Sequence, residues 1–137
     1  AVAVEGYAQL RATLDAVAAG PESLPGAVEA YVNFLRARPG LASIFLSRDL
    51  PDPESSPLQQ AKSDVFGAWL RHVRAQTEGL SAGETITRVA AAWAMADGAY
   101  RLSACRVLSF LPETLRPSSR HLAAYANGSL SASAAPR

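Results

Sequence analysis

The sequence predicts an all-α fold, a helical bundle of five to six helices. Apolar residues recur at helical spacing along most of the 137 residues, and no convincing run alternates between apolar and polar residues. Glycine and proline fall between these apolar stretches, where helices are expected to end. A chain of this length, 49% hydrophobic and 18% charged, is typical of one folded domain with a single core.

The charge and cysteine content exclude several classes of protein. The 13 basic and 12 acidic residues are well mixed and sum to +1, so no basic patch suited to gripping DNA phosphates is evident. The single Cys105 excludes an internal disulfide framework and indicates a reducing cytoplasm. The longest uncharged apolar run, residues 89–96, is too short to cross a bilayer, so no membrane partner is predicted.

The first third of the chain predicts three helices. The first occupies residues 1–19 and ends at a Gly-Pro pair. Ser23 is expected to cap the second helix, with Pro25 in its first turn. That helix ends at Pro39, which lacks a backbone donor, and a short apolar helix follows over residues 41–46.

The middle of the chain predicts an exposed loop followed by a long helix. Residues 49–57 contain three prolines, two serines and three acidic residues, a composition typical of a surface loop. The helix that follows is expected over residues 58–78, with Gly79 closing it.

The last part of the chain predicts the longest helix. Ser81 and Glu84 have the spacing of a capping box, which opens a helix over residues 82–111 that stops at Pro112. A weaker helix is expected over residues 118–125. We therefore divide the chain into a helical domain, residues 1–125, and a flexible Ser/Ala-rich tail, residues 126–137.

Catalytic and cofactor signatures are missing from the sequence, so we predict no enzyme, no metal and no cofactor. Neither His72 nor His121 follows a glutamate by three residues, as a di-iron helical bundle requires. No Cys/His spacing suits zinc, and no glycine-rich loop suits phosphate. Cys105 lies beside Arg106, but a lone helical cysteine is typical of packing. A haem-binding helical protein with His72 as axial ligand stays open as an alternative.

Aromatic side chains on four of the predicted helices, together with a few polar ones, indicate an apolar cavity for a small molecule. Asp97 lies on the apolar stripe of the longest helix, where it either pairs with Arg101 one turn later or faces a polar pocket. The predicted ligand-binding residues are Asn33, Phe34, Phe45, Phe66, Trp69, His72, Trp93, Asp97 and Tyr100.

Small residues on the two long helices indicate a second subunit. Glycine and alanine are frequent in residues 67–68 and 90–99, and such faces permit close packing of helices. Because the last long helix is apolar around much of its circumference, it is expected to have neighbours on both sides. We predict a homodimer.

The order of these elements resembles the C-terminal regulatory domain of the TetR family of transcriptional regulators. The resemblance rests on a helix ending in the phrase at residues 31–41, YVNFLRARPGL, then a short apolar helix, a variable loop and two long helices. It implies that helices 58–78 and 82–111 form a four-helix interface with a second subunit. It also implies that a DNA-binding helix-turn-helix headpiece lies upstream of Ala1, outside this chain.

The function implied by this resemblance is effector sensing in a bacterial repressor. A small hydrophobic or aromatic ligand would shift the first helix and thereby control DNA binding by the headpiece. A helical interaction domain without any ligand, whose aromatic residues only fill the core, stays open as a second alternative.

Overall fold

The computed structural model confirms the all-α class. It describes residues 2–47 and 55–134, with side chains described as far as residue 126, and no strand occurs among these residues. The elements are α1 (Val2–Asp15), α2 (Ser23–Ala37), α3 (Pro39–Phe45), α4 (Ser56–Gln76), α5 (Ala82–Ala104), a 3₁₀ helix (Glu113–Leu115) and α6 (Ser119–Ala134). Of the predicted surface loop 49–57, residues 49–54 lie outside the described part.

Helix α2 is the centre of the bundle, because it contacts each of the other five α-helices. α1 packs along α4, α4 also packs against α5, and α6 covers α2 and α5. The largest fully buried side chains come mainly from α1, α2 and α4, and include Trp69, Tyr31, Leu10, Leu14 and Leu35. The apolar face of α2 is therefore covered by other helices, and its side chains lie where these helices meet.

The corner after α2 follows from Pro39. Arg38 leaves the helical conformation and Pro39 becomes the first residue of α3, a position where its missing N–H costs nothing. α3 therefore begins earlier than the predicted residue 41. The guanidinium of Arg38 lies 4.3 Å from the centre of the Phe34 ring, a cation–π contact that covers the end of α2.

Gly6 allows α1 and α3 to approach closely. A Cβ atom at this position would lie 2.4 Å from Cδ1 of Leu41. Gly6 is itself buried, so the leucine side chain occupies the space that a larger residue would need.

The start of α5 is as predicted. The Glu84 N–H donates to Ser81 Oγ at 3.2 Å and the Ser81 N–H donates to Glu84 Oε2 at 3.3 Å, which confirms the capping box. Gly79, shortly before it, has φ of +75°, a conformation that favours glycine after the end of α4.

Three predicted helix ends are wrong. α1 stops at Asp15 rather than 19, and α5 stops at Ala104 rather than 111. After α5 the chain turns at Arg106, whose φ is +54°, so that α6 can pack back on α2. α6 continues to Ala134 rather than ending at residue 125.

The predicted role of Ser23 is also wrong. Glu22 occupies the position before α2, without a side-chain cap, and Ser23 is the first residue of the helix. The Ser23 hydroxyl bonds the side chain of His72 instead. No helix in the described residues has the length and apolar character needed to span a membrane.

Candidate functional site

A polar cluster lies in the apolar core where α2, α4 and α5 meet. The Tyr31 hydroxyl donates to Oδ1 of Asp97, and Nε1 of Trp93 donates to the Tyr31 hydroxyl oxygen at 3.3 Å. The Trp69 ring lies beside Tyr31, with ring centres 5.8 Å apart and planes tilted by 46°. We call these four residues, Tyr31, Trp69, Trp93 and Asp97, the Tyr31 cluster.

Helical spacing brings the cluster together. Trp93 and Asp97 are four residues apart and therefore lie on one face of α5. Tyr31 lies on the enclosed face of α2 and is 2% exposed, while Trp69 from α4 is fully buried. Three helices thus supply a tyrosine hydroxyl, a carboxylate and two indoles to one small volume.

Burial raises the pKa values of two groups in the cluster. It raises the pKa of Asp97 above its usual value, and the hydrogen bond from Tyr31 and the charge of Arg101 offset part of that rise. Burial also raises the pKa of Tyr31, and the neighbouring carboxylate of Asp97 raises it further, so Tyr31 stays a hydroxyl donor. The structure thus places Asp97 in a polar cluster with Tyr31, and Arg101 acts on its carboxylate through charge without an ion pair among the described residues.

Trp69 contributes an unsatisfied donor. Its Nε1 is buried and has no hydrogen-bond partner among the described residues. An unpaired buried donor costs about 1–3 kcal/mol, so this N–H is a place where an added acceptor would be favourable.

Tyr7 links the cluster to α1. Burial raises the pKa of Tyr7, and the charge of Asp97 adds to that rise, which places the two groups within electrostatic reach. The Tyr7 ring also stacks on Phe45 of α3, with ring centres 4.1 Å apart. The first and third helices therefore meet at Tyr7, whose pKa is raised mainly by burial and further by the charge of Asp97.

His72 belongs to a different polar contact. Its Nε2 lies 2.8 Å from the carbonyl oxygen of Leu14, which can only accept, so Nε2 is the protonated nitrogen. Nδ1 is then the acceptor for the Ser23 hydroxyl. Both ring nitrogens are engaged by the protein, so neither is free to bind haem iron without breaking one of these bonds.

The other predicted ligand residues do not converge on one place. Asn33 is exposed and lines a cleft between α2, α5 and α6, whereas Phe66 lines a groove between α4 and α5. Phe34 is buried beneath Arg38, and Tyr100 is partly buried against the core. Of the nine predicted residues, the structure brings together Trp69, Trp93 and Asp97.

Tyr31, the residue that joins them, was not among the predicted ligand residues. Its partner Asp97 is 66 positions away in the sequence, and only the packing of α5 on α2 brings the two together. The available signal was the position of Tyr31 on the apolar face of α2, in the phrase that carries the family resemblance.

We expect Asp97→Asn to stabilise the protein at neutral pH by about 1 kcal/mol, because the amide needs no desolvated charge and still accepts from Tyr31. The folded-state pKa of Asp97 is raised, so its contribution to stability is full below the unfolded value, about 3.9, and is lost as pH rises through the folded value. The gain from the substitution should therefore grow as the pH rises above about 4, the unfolded value.

The measurement is thermal unfolding of both proteins between about pH 4 and neutral pH. Asp64→Asn, on the surface of α4, controls for the loss of one charge and should show no such gain. A stability difference between Asp97→Asn and wild type that does not vary with pH would contradict the assignment.

The fold and the Tyr31 cluster define an all-α domain whose core holds polar groups from three separate helices. The family model described as the tetracyclin repressor-like C-terminal domain matches residues 24–125. The chain belongs to this family, which comprises the regulatory domains of transcription regulators and is generally non-enzymatic. Searches of curated proteins and of solved structures find no match to this chain.

Proposed function

We propose that this chain is the effector-sensing and dimerisation domain of a TetR-like bacterial repressor that acts in the cytoplasm. A small apolar or aromatic ligand enters the core at the Tyr31 cluster, and a helix-turn-helix headpiece upstream of Ala1 binds DNA. Membership of the family supports the general role, since its domains commonly dimerise and bind small effectors.

The unpartnered Nε1 of Trp69 is the observation that carries the ligand site. It lies in an aromatic environment beside Tyr31, so an aromatic ligand with one hydrogen-bond acceptor satisfies the donor and keeps the surroundings apolar. Such a ligand should bind here more tightly than on an apolar surface patch, because only here does it accept a hydrogen bond from Trp69.

The route to the headpiece runs through α1. A ligand at the Tyr31 cluster changes the surroundings of Asp97, and Tyr7 on α1 is within the reach of that carboxylate. The ligand therefore favours one position of α1 relative to α2 and α4, and the headpieces of the dimer follow this helix.

The experiment compares aromatic ketones with alkylbenzenes of the same shape, beginning with acetophenone and ethylbenzene. We expect the ketone to bind more tightly by about tenfold, because only its carbonyl accepts from Trp69. The chain has two tryptophans, and both belong to the Tyr31 cluster, so indole emission reports on this site, and the rise in Tm with ligand concentration gives the affinity.

Trp69→Phe is the matched variant, since it keeps an aromatic ring and removes only the N–H-bearing part. It should bind both compounds with similar affinity. If no ketone in the panel changes either the emission or Tm, the ligand site is contradicted and the interaction domain without a ligand is favoured.

A further inference from the structure

A second cleft, separate from the Tyr31 cluster, opens between α2, the end of α5 and the start of α6. Its volume is about 440 Å³, within the range of small-molecule sites. None of the four Tyr31-cluster residues lines it. The cleft is therefore a separate candidate site, with its own set of lining side chains.

The charge of this cleft is positive. Its lining includes Arg36, Arg106 and Arg116, against the carboxylates of Glu29 and Glu113. Glu29 is already paired with Arg120 at 3.3 Å, outside the lining. One carboxylate is thus left to face three guanidinium groups.

Two of these arginines are available for a ligand. Arg116 is used internally, since its Nε and Nη2 donate to the carbonyls of Leu111 and Ser109 at 3.0 and 3.2 Å. Arg36 and Arg106 form no ion pair with any residue in the described ranges. Arg106 is also held in a left-handed conformation, φ +54°, which costs about 1–2 kcal/mol for a residue with a side chain.

The floor of the cleft is apolar. Val32 and Ala99 are 1% and 6% exposed, and Leu102 and Leu122 are partly buried beside them. A ligand here meets hydrocarbon on one side and guanidinium groups on the other. This combination selects an amphipathic anion.

We propose that this cleft binds a small amphipathic carboxylate, whose charged group contacts Arg36 and Arg106 and whose hydrocarbon part lies on Val32, Ala99, Leu102 and Leu122. The planar guanidinium matches a carboxylate in geometry and charge. A singly charged group suits the site better than a doubly charged phosphate, because Glu29 and Glu113 also line the cleft. The inference goes beyond the proposed effector site and does not depend on it.

The test uses sodium octanoate below its micelle concentration, with binding measured by calorimetry. We expect the Arg36→Gln/Arg106→Gln double variant to bind octanoate about 10- to 100-fold more weakly, the effect of losing charge-assisted hydrogen bonds. Arg74→Gln, on the exposed side of α4, is the matched control and should bind as wild type does. Octan-1-ol should bind wild type more weakly than octanoate does. Because octan-1-ol has no charge, it should bind the double variant as tightly as it binds wild type.

A second variant keeps the charges and fills the space. Ser103 is exposed at the wall of the cleft, so Ser103→Phe should abolish binding without disturbing the core; circular dichroism checks the fold of every variant. Octanoate binding that is absent in wild type, or unchanged in the double variant, would overturn the proposal. Tighter binding of octyl phosphate than of octanoate would overturn the preference for a carboxylate.

Discussion

His72→Ala is expected to lower the free energy of unfolding by about 3 kcal/mol, because the imidazole is buried and links three helices through its hydrogen bonds. The imidazole is 3% exposed and joins three helices: it belongs to α4, bonds the Leu14 carbonyl of α1 and bonds the Ser23 hydroxyl of α2. Its removal leaves a cavity and a buried serine hydroxyl without its partner. The Leu14 carbonyl keeps one bond, from the Val17 N–H at 3.2 Å.

Urea unfolding followed by circular dichroism measures this loss, and the other histidine is the control. His121 is exposed, and within the described residues its side chain hydrogen-bonds only Ser118, so His121→Ala should change stability by less than about 0.5 kcal/mol. Ser23→Ala should cost about 1–2 kcal/mol in wild type and clearly less in the His72→Ala background, since the bond is already lost. Equal costs in both backgrounds would show that the two side chains are not coupled.

Local sequence patterns predicted the elements of this fold well where a helix end depends on nearby residues. The capping box at Ser81 and Glu84 and the corner at Pro39 use groups within a few positions of each other, so their chemistry is visible in the sequence. Ser23 shows the limit of this reasoning. Serine is a residue type that is common at helix N-caps. Here, however, the Ser23 hydroxyl bonds the side chain of His72, which is 49 positions away in the sequence.

The end of α5 was mispredicted for a related reason. Apolar residues continue at helical spacing after Ala104, and no glycine or proline interrupts them before Pro112. Two of these residues, Val107 and Phe110, are 54% and 77% exposed, so they do not extend the buried face. The chain turns early because α6 packs against α2, a long-range requirement that periodicity does not contain.

The candidate site was predicted by residue type more than by position. Asp97 was identified because it is a carboxylate on an apolar stripe, and Trp69 and Trp93 because aromatic side chains with a few polar ones suit a small-molecule cavity. His72 and Phe66 met the same criteria but face different neighbours, because the rotation of each helix about its axis decides which side chains meet.

The dimer interface that we propose lies on the outward face of α5. Ile86, Ala90 and Ala94 are exposed at intervals of four residues and form one stripe, and a Cβ added at Gly98 would meet open space. A second copy can therefore approach this helix closely. The family resemblance also implies that α4 belongs to the interface. Its exposed polar residues Gln60, Ser63, Arg71 and Arg74 lie on either side of a partly exposed middle with Phe66, Gly67 and Leu70.

Ala94→Arg is expected to weaken dimerisation by about 100-fold or more, because a long charged side chain is forced into the centre of a closely packed apolar contact. The subunit itself should remain folded: Ala94 is exposed within one chain, and arginine is nearly as good a helix former as alanine. Light scattering over a range of protein concentrations gives the dissociation constant, and circular dichroism checks the fold.

Ser63→Arg introduces the same side chain on the outward face of α4 and decides between the two interfaces. If α5 alone forms the contact, Ser63→Arg dimerises as wild type does, whereas loss of the dimer in both variants would restore α4 to the interface. A wild-type chain that is monomeric at every concentration would contradict the dimer proposal itself. The ligand site would survive that result, since each residue of the Tyr31 cluster comes from one chain.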